Sequence, residues 1–370
     1  MKIGIDCYFM SDEKSAYGKA QFNILKWLTY IDVIDEFYIF TDMKMIDFLP
    51  KKSNYKIISL KRNGNNFLSR TRSIRRAIKL RRIELDIFIE TTEIAPKFSN
   101  KVKIFTLQHD FSNGTIEKKL SIASIKGKIY RLFQKSSIIR SDSIFCNSEF
   151  TRNELLALYP QKQNVLLAPH GCDSIYENAS SQISLSDPQK LNLPDKFFLF
   201  VGRISVRHKN IPLLLKAFLE FSFTHKDIFL IIASTERPTK IEKKLINLIG
   251  ERLILFNGLS TNEIAFLYSK ATAFVFPSYY EGFGVPILEA QHMKCPLILN
   301  NIPVFREISG ECAIFFDGTI QSLLNAMENV LKEERRYSIV NCGCENSKKY
   351  SWKGVASAIY KKIHMETDHE

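Results

Sequence analysis

FFLFVGRISVRHKNIPLLLKAF, residues 197–218, reads as one strand, one loop and one helix. Five apolar residues in a row suit a strand buried on both faces, as in a parallel sheet. Gly202 and Arg203 turn the chain, and Lys209, Asn210, Ile211 and Pro212 open a segment of helical spacing over residues 211–223, proline being favoured in a first helical turn. The same alternation runs outward in both directions. KIGIDC, FYIFT, YKIISL, LDIFIE, KIFTLQ, SIFCNS and NVLLAP come before it, and IFLIIAS, RLILFNG, ATAFVFPS and PLILN after it, with amphipathic stretches such as residues 261–270 between them. Strand–helix alternation of this kind predicts an α/β fold with parallel sheets. SQISLSDPQKLNLPDK, residues 181–196, is polar, carries two prolines and separates two such series, so it reads as a linker. The expected architecture is two doubly wound, Rossmann-like domains, residues 1–180 and 196–350, facing a central cleft and binding ligands at the carboxyl ends of their strands.

A chain of 370 residues is long enough for two such domains. Its 52 Lys and Arg against 39 Asp and Glu leave a net charge of +13, which points to an anionic partner: nucleic acid, a phosphate-bearing ligand or an acidic lipid surface. The seven cysteines are scattered and contain no Cys-x-x-Cys. They read as reduced thiols of a cytosolic protein. Cys342 and Cys344 lack a second cluster at zinc-ligand spacing, so no metal site is expected. MKIGIDCYFM reads as a first strand rather than a signal peptide. No apolar stretch approaches the roughly 18 residues of a spanning helix, so a cytoplasmic protein, free or resting on a membrane, is expected.

The chemistry concentrates in FPSYYEGFGVPILEAQ, residues 276–291. A strand ends near Pro277, Gly282 and Gly284 shape a loop, and Pro286 opens a helix. The glycines let backbone pass close to a ligand, and the helix N-terminus offers amides and a positive dipole end to an anion such as a diphosphate. Glu281 before the turn and Glu289 inside the helix can then take hydroxyl groups on either side. In residues 197–218, Arg203 and Lys209 flank a second strand-to-helix loop suited to a phosphate, where they would neutralise leaving-group charge. Arg207 and His208 are further cations of that loop.

Glu281 and Glu289, enclosing seven residues, with Gly202-Arg203 and Lys209 upstream, resemble the retaining glycosyltransferases of family 4, which have the GT-B fold. The resemblance extends along the chain. PHGCD (residues 169–173) resembles the element that closes the family's N-terminal domain, and NSEFT (147–151) its serine-containing helix start. FNGLSTNEIAFLYSKA (256–271) resembles its nucleotide-facing strand, turn and helix, and YSWKGVA (350–356) the lead into a final helix, here residues 351–370, that crosses back to the first domain. The resemblance implies that Arg203 and Lys209 bind the donor diphosphate, Glu281 the sugar hydroxyls and Glu289 the ribose. It places Leu259 and the amides of Phe283, Gly284 and Val285 at the donor, and His109, in TLQHD, beside the transferred sugar, with Asp110 as a positioning acid. SAYGKAQF holds only Gly18 where the family often has adjacent glycines, leaving this loop either to close on the donor phosphate or to shape the acceptor site. His170 stands where the family has asparagine and receives no role.

The implied reaction moves a hexose from a nucleoside-diphosphate sugar to a hydroxyl of a growing, lipid-linked surface glycan, with retention. GDP-mannose is favoured over a UDP-sugar. No two aspartates lie two positions apart, so the Asp-x-Asp metal motif is missing and no metal or other cofactor is expected. Residues 61–82 carry Lys61, Arg62, Arg70, Arg72, Arg75, Arg76, Lys79, Arg81 and Arg82 and no acid, with Phe67, Leu68, Ile74 and Ile78 at near-helical spacing. Arg70, Arg72, Arg75, Arg76, Lys79 and Arg82 read as the face of a basic amphipathic helix on an anionic membrane. No nucleic-acid recognition motif accompanies them. An epimerase or phosphorylase on the same architecture is disfavoured by the paired glutamates; a non-catalytic basic scaffold is the remaining alternative.

Overall fold

The computed structural model describes residues 1–12, 15–31, 34–43, 46–47, 54–61, 67–98, 101–111, 125–172, 176 and 191–365. Seven parallel strands form one sheet in the order β3-β2-β1-β4-β5-β6-β7: β1 (Lys2–Cys7), β2 (Glu36–Thr41), β3 (Tyr55–Ser59), β4 (Ile87–Glu90), β5 (Lys103–Gln108), β6 (Ser143–Cys146) and β7 (Val165–Leu167). Six more form a second parallel sheet in the order β10-β9-β8-β11-β12-β13: β8 (Lys196–Val201), β9 (Ile228–Ser234), β10 (Leu253–Asn257), β11 (Ala273–Phe276), β12 (Leu297–Asn300) and β13 (Ile314–Phe316). The apolar runs of the sequence are these strands, and every residue of β4, β6, β11 and β12 is buried, as sheets covered on both faces require. β13 is an addition, an edge strand too short to stand out as a run.

The chain divides into two compact units, Met1–Gly171 with Ser351–Glu370, and Cys172–Tyr350. Residues 181–190 of the expected linker lie outside the described residues. Each sheet reverses its strand order once, between β1 and β4 and between β8 and β11. Connections leave to opposite faces at such a switch point, which opens a crevice above the carboxyl ends. In the second unit the loops after β8 and β11, carrying Arg203, Lys209 and Glu281, flank that point.

The first unit is finished by the last helix of the chain. Trp352, Val355, Ala356, Ile359 and Ile363 of helix Trp352–Met365 join Ile3, Ile5, Ile24 and Leu28 in one core. Gly171, where the chain leaves this unit, lies against the start of that helix: a Cβ there would stand 2.2 Å from the Trp352 nitrogen. Gly18 is likewise explained from within, since its Cβ would stand 2.1 Å from the Asp12 carbonyl oxygen.

Helix Phe67–Arg81 carries the expected basic face with one correction. Arg70 is fully buried, paired with Asp6 and Glu90, and its Nη2 donates to the Ile94 carbonyl at 2.6 Å. It stands one turn before Ile74, which packs with Phe40 and Phe88 while Ile78 lies against that cluster, so helical phase carries Arg70 inward. The apolar stripe therefore serves the unit's own core. Arg72, Arg75, Arg76, Lys79 and Arg82 remain exposed; Arg62 lies outside the described residues. A second correction concerns the thiols. Cys312 and Cys342 are joined in a disulfide, with their Cα atoms 5.2 Å apart, because helix Glu333–Ser347 packs beside the turn after helix Pro303–Ser309. Cys7, Cys146 and Cys295 are buried thiols, and burial pushes Cys146 and Cys295 up to about 12.

Candidate functional site

In the second unit the loops after β8 and β11 meet. The Gly202 amide donates to the Ala233 carbonyl at 3.0 Å and the Ile204 amide to Ser234 Oγ at 3.2 Å. A single 3-10 turn, Arg207–Lys209, follows, and Asn210 at φ 53° leads into helix Ile211–Thr224 with proline in its first turn. This path delivers Lys209 to the neighbouring loop. Its Nζ donates to Glu281 Oε1 at 2.7 Å and lies 4.8 Å from the Phe276 ring centroid. The Tyr279 amide, donating to the His208 carbonyl at 3.0 Å, ties the same two loops through backbone.

Beyond Glu281 the chain is braced for the helix that follows. Phe283 is buried and meets the Tyr350 ring edge-on at 5.8 Å. Gly284 has φ 102°, and a Cβ there would press on Ile287 and Phe305 at 3.2 Å, so glycine is required both by conformation and by space. Helix Val285–His292 then starts with Pro286 in its first turn, its dipole's positive end beside the amides of Phe283, Gly284 and Val285. The remaining residues that the sequence assigns to a donor are held separately. Glu289 is buried and accepts the Tyr268 hydroxyl at 3.2 Å; burial first, then the charge of Glu289, holds the Tyr268 phenol well above its ordinary value. Leu259 is half-buried between β10 and helix Thr261–Lys270. Arg203 is 65% exposed, and its Nε donates to Glu236 Oε1 at 2.6 Å. Glu236 and Tyr268 escaped the sequence reading; only the adjacency of β8 with β9 points to the first, and the helix packed on Glu289 to the second.

In the first unit, His109 follows β5. Its Nε2 lies 2.8 Å from the Thr91 carbonyl oxygen. A carbonyl only accepts, so the neutral ring carries its proton on Nε2 and leaves Nδ1 as an acceptor. Burial lowers the His109 pKa, against the opposing pull of the Thr91 carbonyl, which favours that neutral ring. The ring sits 5.2 Å from Tyr17, on the helix that carries Gly18, and 5.1 Å from His170, which in turn stacks on Trp352 at 5.0 Å. His170, assigned no role from sequence, is thus a platform under His109. Among the described residues no group of three His, Cys, Asp or Glu side chains is placed to hold a metal ion.

The profile of the family described as glycosyl transferases group 1 matches residues 182–343, within the second unit. The O-antigen chain mannosyltransferase RfbU of Salmonella typhimurium is 26% identical over 229 residues, 59% of this chain and 62% of that protein. The matched region thus spans less than two thirds of that relative. Among solved structures, sucrose-phosphate synthase of Thermosynechococcus elongatus superposes with a TM-score of 0.74 at 16% identity, covering all of both chains. WaaG, a glycosyltransferase involved in lipopolysaccharide biosynthesis, superposes with a TM-score of 0.71 at 12% identity over 96% of this chain and 98% of its own. These findings support a GT-B glycosyltransferase. At such identities the two structures establish the fold, two parallel-sheet Rossmann-like domains, and the family profile falls on the unit where Lys209 and Glu281 meet.

Proposed function

We propose that the chain is a retaining hexosyltransferase of the family 4 type. It moves a hexose from a nucleoside-diphosphate sugar to a hydroxyl of a growing, lipid-linked surface glycan, without a metal. The observation that carries this reading is the Lys209–Glu281 pair, 2.7 Å apart at the switch point of the second unit and beside a helix N-terminus. An arriving diphosphate takes Lys209 from Glu281, and the carboxylate so released accepts hydroxyls of the sugar. Arg203 adds a second cation, Glu289 takes the ribose, and the amides of Phe283, Gly284 and Val285 meet sugar or phosphate, with Leu259 against the nucleoside. Gly18 lies in the first turn of helix Ala16–Ile31 rather than in a loop, and the start of that helix would face either the donor phosphate or the acceptor. As the bond from the anomeric carbon to the diphosphate oxygen breaks, negative charge grows on the leaving group and the cations offset it, a contribution of several kcal/mol in such sites. The acceptor oxygen bonds to the same face of the anomeric carbon, and its proton passes to the leaving phosphate. His109 stands beside the sugar with Nδ1 as acceptor.

GDP-mannose is the favoured donor, because the mannosyltransferase RfbU is among the relatives. Ligand-observed NMR with UDP-, GDP-, ADP- and dTDP-sugars, repeated on Glu281→Ala and Arg203→Ala, tests the site. Binding of one nucleotide sugar that weakens in both variants supports the reading and names the base; binding of none, with no transfer, sinks it in favour of the basic scaffold. Activity abolished by EDTA and restored by manganese would overturn the metal-free mechanism.

The acceptor side of the proposal places the enzyme on the cytoplasmic face of an anionic membrane. Among the described residues no helix is long and apolar enough to cross one. The surface that would rest there joins exposed Arg72, Arg75, Arg76, Lys79 and Arg82 to helix Ile125–Arg140, which exposes Ile129, Leu132 and Phe133 with Lys128 and Lys135. The two helices touch through Phe67 and Phe133, ring centroids 5.3 Å apart. Co-sedimentation with vesicles containing a third phosphatidylglycerol, lost on raising salt and on Arg75→Glu with Arg76→Glu, is the expected result.

A further inference from the structure

We propose that Glu93 is a positioning residue for His109, a buried carboxyl group that ties the loop carrying this histidine to helix Ile125–Arg140. The inference rests on the reading of His109 as the group beside the transferred sugar. Glu93 follows β4, is 2% exposed and has φ 75°, a left-handed conformation that side chains other than glycine and asparagine rarely adopt. The side chain reaches the end of β5. Oε1 accepts the backbone amides of His109 at 3.0 Å and Asp110 at 3.1 Å, together with Gln108 Nε2 at 3.2 Å. Oε2 accepts the Tyr130 hydroxyl at 2.8 Å and Gln134 Nε2 at 3.1 Å. Tyr130 and Gln134 lie one turn apart on the helix, so one carboxyl group joins five polar groups from two elements. The two glutamines close the arrangement by also donating to the Asp110 carbonyl, Gln108 at 2.7 Å and Gln134 at 3.5 Å.

Both oxygens of Glu93 are engaged, and a buried polar network of this kind favours one arrangement of the groups that make it. Here that arrangement is the backbone of residues 108–110. With its amide on Glu93, its ring on the Thr91 carbonyl and its own carbonyl on Asn147 Nδ2 at 2.9 Å, His109 has no rotational slack in its main chain. Burial, with Asp110 adding to it, pushes Glu93 up to about 8. The chain thus keeps an ionisable group where an apolar one would be the simpler filler. The groups that Glu93 binds all belong to the first unit, so its effect is expected on His109 rather than on donor affinity.

The test compares Glu93→Gln, Glu93→Ala, His109→Ala and the double variant Glu93→Ala/His109→Ala, reading transfer kinetics and amide hydrogen exchange across residues 103–111. Glu93→Ala is expected to lower kcat about 100-fold, with donor KM within about threefold, as small misplacements of a reacting group do. Glu93→Gln keeps an acceptor oxygen for the His109 and Asp110 amides and restores most of the rate. The double variant is no slower than His109→Ala, because both changes remove one function. Exchange of the two amides accelerates about tenfold or more in Glu93→Ala. A double variant slower by the full Glu93 factor, or unaltered exchange at residues 109 and 110, overturns the proposal. If the wild-type chain transfers no sugar, the transferase reading falls, while the exchange measurement still decides the tie. Where Glu93→Ala does not fold, Tyr130→Phe removes one donor, leaves the ring on Phe67 and carries the same two readouts.

Discussion

At the switch point of the second unit the charged side chains pair within reach of water, Lys209 with Glu281 and the largely exposed Arg203 with Glu236. Around the matching strand ends of the first unit the charges are sealed in. Arg70 lies between Asp6 and Glu90 with no exposed surface on any of the three, and Glu93 is buried beneath His109. The Lys209 and Glu281 side chains keep 15% and 13% of their surface exposed, so an incoming anion and water can replace what is lost when the pair opens, at a lower cost than for a sealed pair. A buried ion has no such alternative, and removing its partner leaves an uncompensated charge. The same α/β scaffold therefore holds exchangeable charges in one unit and fixed ones in the other.

Arg70→Met should break that contrast most severely. It strands Asp6 and Glu90 and should cost about 3–5 kcal/mol of stability. Both tryptophans, Trp27 and Trp352, lie in the first unit, so the loss is readable by fluorescence during denaturation. A cost below about 1 kcal/mol would put the first unit's ions on the same footing as the second's. Lys209→Ala should lower kcat/KM by about 100- to 1,000-fold while leaving the thermal transition nearly unchanged, as removal of one electrostatic contact in a preorganised site does. A large drop in stability instead would make the Lys209–Glu281 pair structural.

The third comparison is with pH. The folded pKa of Glu93, about 8 against an ordinary 4.5, means that between these values the folded chain holds a proton the unfolded chain has lost. Stability therefore falls as pH rises toward 8 and then levels. His109 and His170 are shifted the other way, mainly by burial, and their gain with rising pH is complete near 6.5. Of the groups facing Glu93, Tyr17 and Tyr130 are held well above 10, mainly by burial. From pH 6.5 to 8 the first unit should lose about 2 kcal/mol, and Glu93→Gln should flatten that slope in fluorescence-monitored melts. The smallest effect belongs to the most exposed cation: Arg203→Ala should lower kcat/KM about tenfold, some 1.4 kcal/mol.

Much of the fold was legible because parallel strands covered on both faces write themselves as unbroken apolar runs, and FFLFV and AFVF are such runs. β13 was not, since three residues at a sheet edge leave no pattern. The candidate site of the second unit stood out for a similar reason: Glu281, Gly284, Pro286 and Glu289 belong to one continuous turn and helix. Arg70 carried a signal that charge obscured. It precedes Ile74 by four residues and so shares its stripe, yet it lies in a run of arginines that reads as a surface. Glu93 carried none. Its partners come from residues 108–110 and from Tyr130 and Gln134, and only the fold assembles them.

Trp352 and the four apolar residues behind it complete a core whose other members lie between Ile3 and Ala168. On the ribosome, the unit of residues 1–171 cannot close until the segment that follows the second unit has emerged. The second unit, continuous from Cys172 to Tyr350, can fold while the first still waits. A chain interrupted after residue 350 would carry its Lys209–Glu281 loops on a finished unit joined to an open one, whose apolar β1 and helix Ala16–Ile31 would lie bare to chaperones and proteases.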